Sequence, residues 1–289
     1  QLDAEFRSPT YVTYKMPGFW DGQRLVVRFS PTEPGAWVYR VTSSVPALSG
    51  KTGDFMAADS GASGFVQVDN TRAWSYSAKH LANAGREAHL WMGFQCPQCF
   101  SMDRAAFDRL IAERAGQNFN HASVVLPLER LASGDPKAFE EIDARVRALH
   151  DKGIFSDIAF ADNAETMGKL LPAPAARERF IRETVARYAA LRVTWNGLAE
   201  FEPGLHGRDM TREIGLLLKK YDPYDHPRST GASGSSSTLT SDGWMTHIVS
   251  AAANDQLGSI ESQVYPAPRL AADTAPATGD FTRRLWNAT

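Results

Sequence analysis

The feature that most constrains this chain is a change in its residue pattern near Gly85. Before this point, short runs of β-forming residues are separated by Gly and Pro turns, which predicts a small antiparallel β-sandwich. After it, short apolar runs alternate with long amphipathic stretches, which predicts βα units around a parallel sheet. The pattern therefore divides the chain into an Ig-like β-sandwich, residues 1–76, and an α/β domain, residues 77–289.

The α/β part contains seven candidate strands. The strands predicted in the β-sandwich cover 11–14, 25–29, 37–41 and 64–68, and those of the α/β part cover 89–94, 121–128, 154–160, 191–196, 226–230, 247–252 and 269–272. Seven βα units are one fewer than a (β/α)₈ barrel has. The sequence therefore predicts a TIM-type barrel that lacks its last βα unit.

Local signals mark the helices between these strands. Ser101 is a candidate N-cap for the first helix, and Asp135 followed by Pro136 begins the second, which ends at Gly153. The last long helix stops before Asp222. The Gly- and Ser-rich stretch 231–240 has the composition of a flexible segment, and we interpret it as a long loop after the fifth strand rather than as an interdomain linker.

Charge and hydropathy exclude several classes of protein. Lys and Arg number 31 against 33 Asp and Glu, for a net charge of −2, so the basic surface of a nucleic-acid-binding protein is not expected. No apolar run is long enough to cross a bilayer, and the first residues are not those of a signal peptide. We expect a soluble protein from which a signal peptide has been removed.

The two cysteines, Cys96 and Cys99, form a single C-x-x-C. A zinc site needs further ligands at suitable spacing, and a redox motif needs a small βαβ context. The sequence favours two unpaired thiols, with a local disulfide or a metal contact as the alternatives.

Chemistry in a βα barrel takes place at the carboxyl ends of the strands. The fourth strand is followed by Glu200 and Glu202, which are either solvated surface carboxylates or the general acid of a glycosidase. A second carboxylate is then required at another strand end. Asp273 directly follows the seventh strand, whereas Glu261 lies in a predicted helix.

Other chemistries are less compatible with the sequence. It contains no Gly-x-Ser-x-Gly, no phosphate-binding Gly-x-x-x-x-Gly-Lys motif and no His-Glu-x-x-His. The seven histidines are scattered, without metal-ligand spacing. We therefore expect neither a metal nor a cofactor.

Several motifs resemble a known family. The run Arg28-Phe29-Ser30-Pro31-Thr32-Glu33-Pro34-Gly35-Ala36-Trp37 resembles the Ig-like β-sandwich, of the DUF5060 type, that precedes apiosidase-like glycoside hydrolases, whose barrel is of the DUF4038 type. The segments 89–93, 119–121, 195–202, 221–229 and 256–261 are similar to that barrel and follow in family order.

The resemblance implies a secreted or periplasmic glycosidase that cleaves plant or microbial polysaccharide with retention. By motif position, Glu200 is the acid/base and Asp273 the nucleophile. Trp195, Asn196 and His226 would line the sugar pocket, and Glu202 and Glu261 would also contact the carbohydrate. The oligomeric state stays open.

Departures from the family pattern support a second hypothesis. The first strand ends in Gly93-Phe94 where the family has Gly-Asp, Ala199 and Ala271 replace expected amides, and Asp273 is shorter than the usual Glu. The alternative is a catalytically impaired relative that binds carbohydrate. A scaffold with no sugar role is a third possibility, for which the sequence offers no positive feature.

Overall fold

The protein combines an N-terminal antiparallel sheet with a parallel α/β region. The computed structural model describes residues 2–69, 80–251, 260, 264–265 and 267–272. The N-terminal strands are β1 (Leu2–Arg7), β2 (Thr13–Pro17), β3 (Phe19–Trp20), β4 (Leu25–Val26), β5 (Gly35–Ser43), β6 (Thr52–Ala57), β7 (Gln67–Val68) and β8 (Leu81–Ala82). Four of them form a sheet in the order β2-β1-β5-β6, while β3-β4 and β7-β8 are short antiparallel pairs.

The N-terminal sheet packs on the α/β region rather than on a second sheet. Strand β1 alternates buried and exposed residues, so that Leu2, Ala4 and Phe6 face inward. Phe6 stacks on Phe29 with ring centroids 3.9 Å apart, and Phe29 lies 6.2 Å from Tyr224 of the α/β region. The predicted antiparallel sheet is therefore present, but within residues 2–69 the second layer of the expected sandwich is reduced to two-residue strand pairs.

The α/β region contains a strand near each of the seven predicted positions. These are β9 (Gly93–Gln95), β10 (His121–Val125), β11 (Phe155–Ala159), β12 (Val193–Asn196), β13 (Arg228–Ser229), β14 (Ile248–Ser250) and β15 (Arg269–Ala271). The first five form one parallel sheet in chain order, and β14 pairs in parallel with β15. The helices are α1 (Arg104–Gly116), α2 (Leu128–Leu131), α3 (Pro136–Asp151), α4 (Ala164–Leu170), α5 (Pro174–Tyr188) and α6 (Gly207–Tyr221), with a 3₁₀ helix at Ser236–Asp242.

Helix boundaries follow local capping chemistry. The Asp135 carboxylate accepts a hydrogen bond from the Lys137 amide at the start of α3, and Gly153 after the helix has φ of 76°. Helix α1 begins two residues later than the Ser101 cap predicts, because the Asp103 carboxylate caps it through the Ala106 amide.

Apolar side chains on one face of the parallel sheet pack against helices. Val124, Ile158 and Trp195 belong to the same buried core as residues of α3, α5 and α6. We call the opposite side of the strands the inner face. Helices that cover one face are typical of a sheet that curls, because the curl buries the opposite face as well.

The first and last strands of the series approach one another. The Thr246 amide donates to the Arg228 carbonyl at 2.9 Å, which joins the β14 segment to the β13 edge. Beyond it, Trp91 lies 5.7 Å from His247 between ring centroids, and Leu270 packs in one cluster with Phe155. The strand series therefore bends until side chains from both its ends meet.

Two segments differ from their sequence-based interpretation. The Gly- and Ser-rich stretch after β13 packs closely, since Leu239 is fully buried and the Ser236 hydroxyl accepts a hydrogen bond from the Val249 amide. Cys96 and Cys99 form a disulfide, so the favoured prediction of two free thiols is wrong. A three-residue separation in a tight turn brings the sulfurs together, and this was the alternative that the spacing left open. Across the part of the chain that the structure describes, no helix has the length and apolarity needed to cross a membrane.

Candidate functional site

The inner face of the parallel strands consists of three rows of side chains. Residues paired in register point to the same side of a sheet, so each row can be read from the pairing. The lower row contains Gly93, His121 and Phe155; the middle row contains Gln95, Ser123, Asp157 and Thr194; and the upper row contains Val125, Ala159, Asn196 and Ser229. The upper row lies next to the carboxyl ends of the strands, where the loops begin.

The lower row is closed by aromatic rings. His121 lies between Trp91 and Phe155, with ring centroids 3.4 and 4.8 Å away and nearly parallel planes. Its Nε2 is 2.8 Å from Nε2 of His89, so one of the two nitrogens must be unprotonated. Burial, together with His89 and His247, holds the pKa of His121 well below its usual value. The lower row therefore packs uncharged side chains at the amino end of the strands.

The middle row contains a buried acid. The Asp157 side chain accepts a hydrogen bond from the Thr194 hydroxyl at 2.8 Å through Oδ1, while its Oδ2 is 3.4 Å from both Ser123 Oγ and Asn196 Nδ2. Burial raises the pKa of the Asp157 carboxyl, because these hydrogen bonds only partly replace the water it has lost. Its three partners are all neutral.

In the upper row, Asn196 connects the strand to the loops above it. Its Oδ1 accepts a hydrogen bond from the Gly231 amide at 2.7 Å. Gly231 in turn packs so closely on the loop after β12 that a Cβ there would lie 1.8 Å from the Ala199 carbonyl oxygen. The Phe201 amide donates to the Gly231 carbonyl at 3.1 Å. These contacts fix the backbone on both sides of Glu200.

The two acids of this loop have different environments. The Glu200 side chain is exposed and makes no hydrogen bond or ion pair within the described part of the chain, while its amide donates to the Asp162 carbonyl at 2.9 Å. Glu202, in contrast, accepts hydrogen bonds from the Ser233 and Gly234 amides at 2.9 and 3.2 Å. Glu202 therefore ties two loops together, which leaves Glu200 as the unengaged carboxylate.

Two residues assigned to the sugar pocket lie elsewhere. Trp195 faces the helices, is fully buried and donates its indole N–H to Asp222 at 3.0 Å. His226 precedes β13, on its amino side, and its Nδ1 is 3.0 Å from the same carboxylate. The alternation of side chains along β12 explains this correction, since Asn196 faces inward and its neighbour Trp195 must face outward.

The Asp222 carboxylate serves as an acceptor within the core. Burial alone would raise its pKa, but His226 and the hydrogen bonds from His226 and Trp195 outweigh that effect, so the pKa of Asp222 is lowered. We therefore assign Trp195 and His226 structural roles.

Glu261 and Asp273 lie outside the described residues, although β15 ends at Ala271 and the Ala272 amide donates to the Ser250 carbonyl at 2.8 Å. Asp157 was not among the predicted site residues, although an acid within the apolar run 154–160 was the signal available. The described residues include no group of three or more His, Cys, Asp or Glu side chains that could hold a metal ion.

Comparisons with known proteins support the fold. The family described as a domain of unknown function, DUF5060, matches residues 1–44. A candidate glycoside hydrolase from Bacteroides vulgatus is 18% identical, with a TM-score of 0.80 over 99% of this chain and 65% of that one. No curated protein sequence matches the chain.

More distant structures agree with this comparison. A glycoside hydrolase family 5 structure from Bacteroides vulgatus is 10% identical, with a TM-score of 0.62 over 78% of this chain and 60% of that one. The catalytic domain of the Thermobifida fusca endoglucanase Cel5A, in complex with cellotetraose, is 14% identical, with a TM-score of 0.52 over 78% of this chain and 81% of that one. The chain spans less than two thirds of the length of the two Bacteroides structures. It has a glycoside hydrolase-like fold.

Proposed function

We propose that this protein is a glycoside hydrolase that cleaves a plant or microbial polysaccharide or oligosaccharide by a two-carboxylate retaining mechanism. The observation that carries the proposal is the position of Glu200, an unengaged carboxylate held by its backbone at the carboxyl end of β12 in a glycoside hydrolase-like fold. In this mechanism Glu200 protonates the glycosidic oxygen of the leaving group and then activates water.

The nucleophile in this proposal is Asp273. It follows β15 by two residues in the sequence, and the carboxyl ends of the strands are where the chemistry of βα barrels takes place. Retention requires the two carboxyl groups to be about 5 to 5.5 Å apart, and a gap above about 6.5 Å would change the stereochemical outcome. We also keep Glu261, Asn196 and Glu202 as candidate sugar contacts. Of these, Glu202 must break its hydrogen bonds to the Ser233 and Gly234 amides before it can bind a ligand.

The proposal extends to the architecture. Helices on one face and the meeting of Trp91 with His247 and of Leu270 with Phe155 support a (β/α)₈-type barrel that lacks its last βα unit. It also extends to membership of the apiosidase-like family and to the division at residue 76, which falls outside the described residues. The disulfide supports secretion or a periplasmic location, because such bonds persist in oxidising compartments.

The decisive experiment compares two single-atom changes. Glu200→Gln removes the proton donor, and we expect release of reducing ends from a polysaccharide panel to fall at least about a hundredfold, with the melting temperature unchanged. Glu140→Gln, an exposed position on α3, is the matched control and is expected to keep full activity. Unchanged hydrolysis in Glu200→Gln would remove Glu200 from the mechanism.

A carbohydrate-binding protein without turnover is the second candidate. It is favoured by the methyl groups of Ala199 and Ala271, which stand where the resembled family supplies amides to the sugar. Calorimetry on the wild-type protein separates the two functions, since saturable binding with no product after prolonged incubation supports the binder, whereas measurable product excludes it.

A further inference from the structure

Among the described residues, the middle row of the inner face holds one acid and no basic side chain. Asp157 is 8% exposed, and the other members of its row are Gln95, Ser123 and Thr194. The upper row also contains no Lys or Arg, whereas Arg192, which precedes β12, lies 5.4 Å from the Phe155 ring at the level of the lower row. A buried carboxylate is normally paired with a cation or fully hydrogen-bonded, so this one is under-compensated.

The two oxygens of Asp157 are unequally satisfied. Oδ1 accepts a short hydrogen bond from Thr194, at 2.8 Å, but within the described part of the chain Oδ2 has only the two contacts at 3.4 Å. Carboxylate hydrogen bonds are ordinarily shorter than 3 Å. Oδ2 therefore has capacity for a further donor.

Space for such a donor lies above the row. Ala159 occupies the upper row directly above Asp157 on the same strand, and its side chain there is only a methyl group. Gln95, a neighbour in the middle row, is exposed, so solvent reaches this level of the inner face. Below this level, the rings of Trp91, His121 and Phe155 stack on one another.

We propose that Asp157 is a substrate-binding residue at the base of the pocket, where its Oδ2 accepts a hydrogen bond from a sugar hydroxyl or amine, and that it selects neutral or amine-bearing glycans over uronic-acid glycans. This inference rests on the proposed carbohydrate function and deepens it. A uronate would bring a second carboxylate toward a buried one of the same sign, with no cation in the middle or upper row to separate them.

The test compares glycans that differ in one functional group. β-1,4-linked tetramers of glucose, glucosamine and glucuronate, together with those of mannose and mannuronate, are titrated into Glu200→Gln protein by calorimetry, so that turnover does not interfere. We expect the neutral and amine-bearing tetramers to bind at least about tenfold more tightly than the uronates. Asp157→Asn should reduce the ratio of glucosamine to glucuronate affinity at least about fivefold. This variant keeps the side-chain shape and the Thr194 hydrogen bond.

The control variant is Asp151→Asn, which removes one exposed negative charge at the end of α3. It should leave the ratio of glucosamine to glucuronate affinity unchanged. Uronates that bind as tightly as neutral tetramers overturn the inference without any variant, even if Asp157→Asn fails to fold, and so does the absence of binding by every tetramer. Hydrolysis by the wild-type protein separates the two proposals. The expected order of binding without hydrolysis supports the role of Asp157 and rejects the proposed hydrolase function. Hydrolysis with equal binding of all tetramers supports the hydrolase function and rejects the role of Asp157.

Discussion

At the scale of single residues, Gly231 packs directly on the backbone of the loop that carries Glu200. We predict that Gly231→Ala destabilises the protein by about 2 kcal/mol or more, because its Cβ would lie 1.8 Å from the backbone oxygen of Ala199, which cannot move aside alone. Urea unfolding measures the loss. The control is Gly234→Ala in the same loop, where a Cβ meets nothing within 4 Å, and which should change stability by less than about 0.5 kcal/mol. Equal effects in the two variants would contradict the packing argument.

Also at this scale, the inner-face histidines make stability depend on pH. Burial and the nearby Arg228 lower the pKa of His247 to about 3, and that of His121 is also lowered. The unfolded chain, with a histidine pKa near 6.5, therefore binds more protons than the folded protein as the pH falls below that value. We expect the free energy of unfolding to be fully maintained above about pH 7. It should decrease by about 1.4 kcal/mol per pH unit for each such histidine between about pH 6 and the folded pKa.

Urea unfolding from pH 7.5 to pH 5 measures this slope. His247→Gln should reduce it by the share of one proton, whereas His206→Gln, at an exposed position before α6, should not. A slope that is the same in wild type and His247→Gln would show that His247 is accessible to protons in the folded state.

At the scale of elements, the contact between β3 and the helices depends on one shared carboxylate. Asp143 of α3 accepts hydrogen bonds from Arg28 at 3.0 Å and from Arg187 of α5 at 3.1 Å, and Arg187 also donates to the Trp20 carbonyl at 3.0 Å. Arg187 is 2% exposed and also pairs with Glu183 at 2.9 Å, so removing the Asp143 charge leaves a buried cation with one carboxylate partner instead of two.

We predict that Asp143→Asn lowers the free energy of unfolding by about 1 to 3 kcal/mol, because Glu183 still compensates part of the Arg187 charge. Asp108→Asn on α1 removes a carboxylate from an exposed pair with Arg104 and should cost less than about 1 kcal/mol. Thermal unfolding of both variants tests this. A loss no larger in Asp143→Asn than in Asp108→Asn would indicate that the β3 contact is held by apolar packing alone.

At the scale of the whole molecule, the buried core is continuous between the two regions. Phe6 and Trp37 of the N-terminal sheet belong to one cluster with Phe180 and Leu218 of the helices. We therefore predict a single cooperative unfolding transition, in which calorimetric and van't Hoff enthalpies agree and tryptophan fluorescence and far-UV dichroism change together. Two resolved transitions would show that the regions unfold independently.

The sequence predicted those features that depend on local pattern. Alternation of apolar strands with amphipathic helices located the seven parallel strands, and the Asp135-Pro136 cap located the start of α3, because both signals act over a few residues. The strands β1 and β6 were missed. The alternation of side chains along these two strands identifies them as strands only once the apolar surface they pack against, which includes Phe29 and Tyr224, is known.

Within the candidate site, the sequence identified the loop but not the different environments of its residues. It selected Glu200 and Glu202 together, and only the return of the loop at 231–235 distinguishes them, by engaging Glu202 and leaving Glu200 free. Trp195 was assigned to the pocket by motif position, although the pleat of β12 turns it toward the helices.

By itself, then, the sequence determined the order and type of the elements in the α/β region and which strand end carries the free acid, because hydrophobic period and capping are local properties. Tertiary structure decided which acids are engaged and that Asp157 lies buried on the inner face, with no cation among the described members of its row. These outcomes depend on strand register and on the approach of loops distant in sequence. Neither is encoded by any segment short enough to be recognised alone.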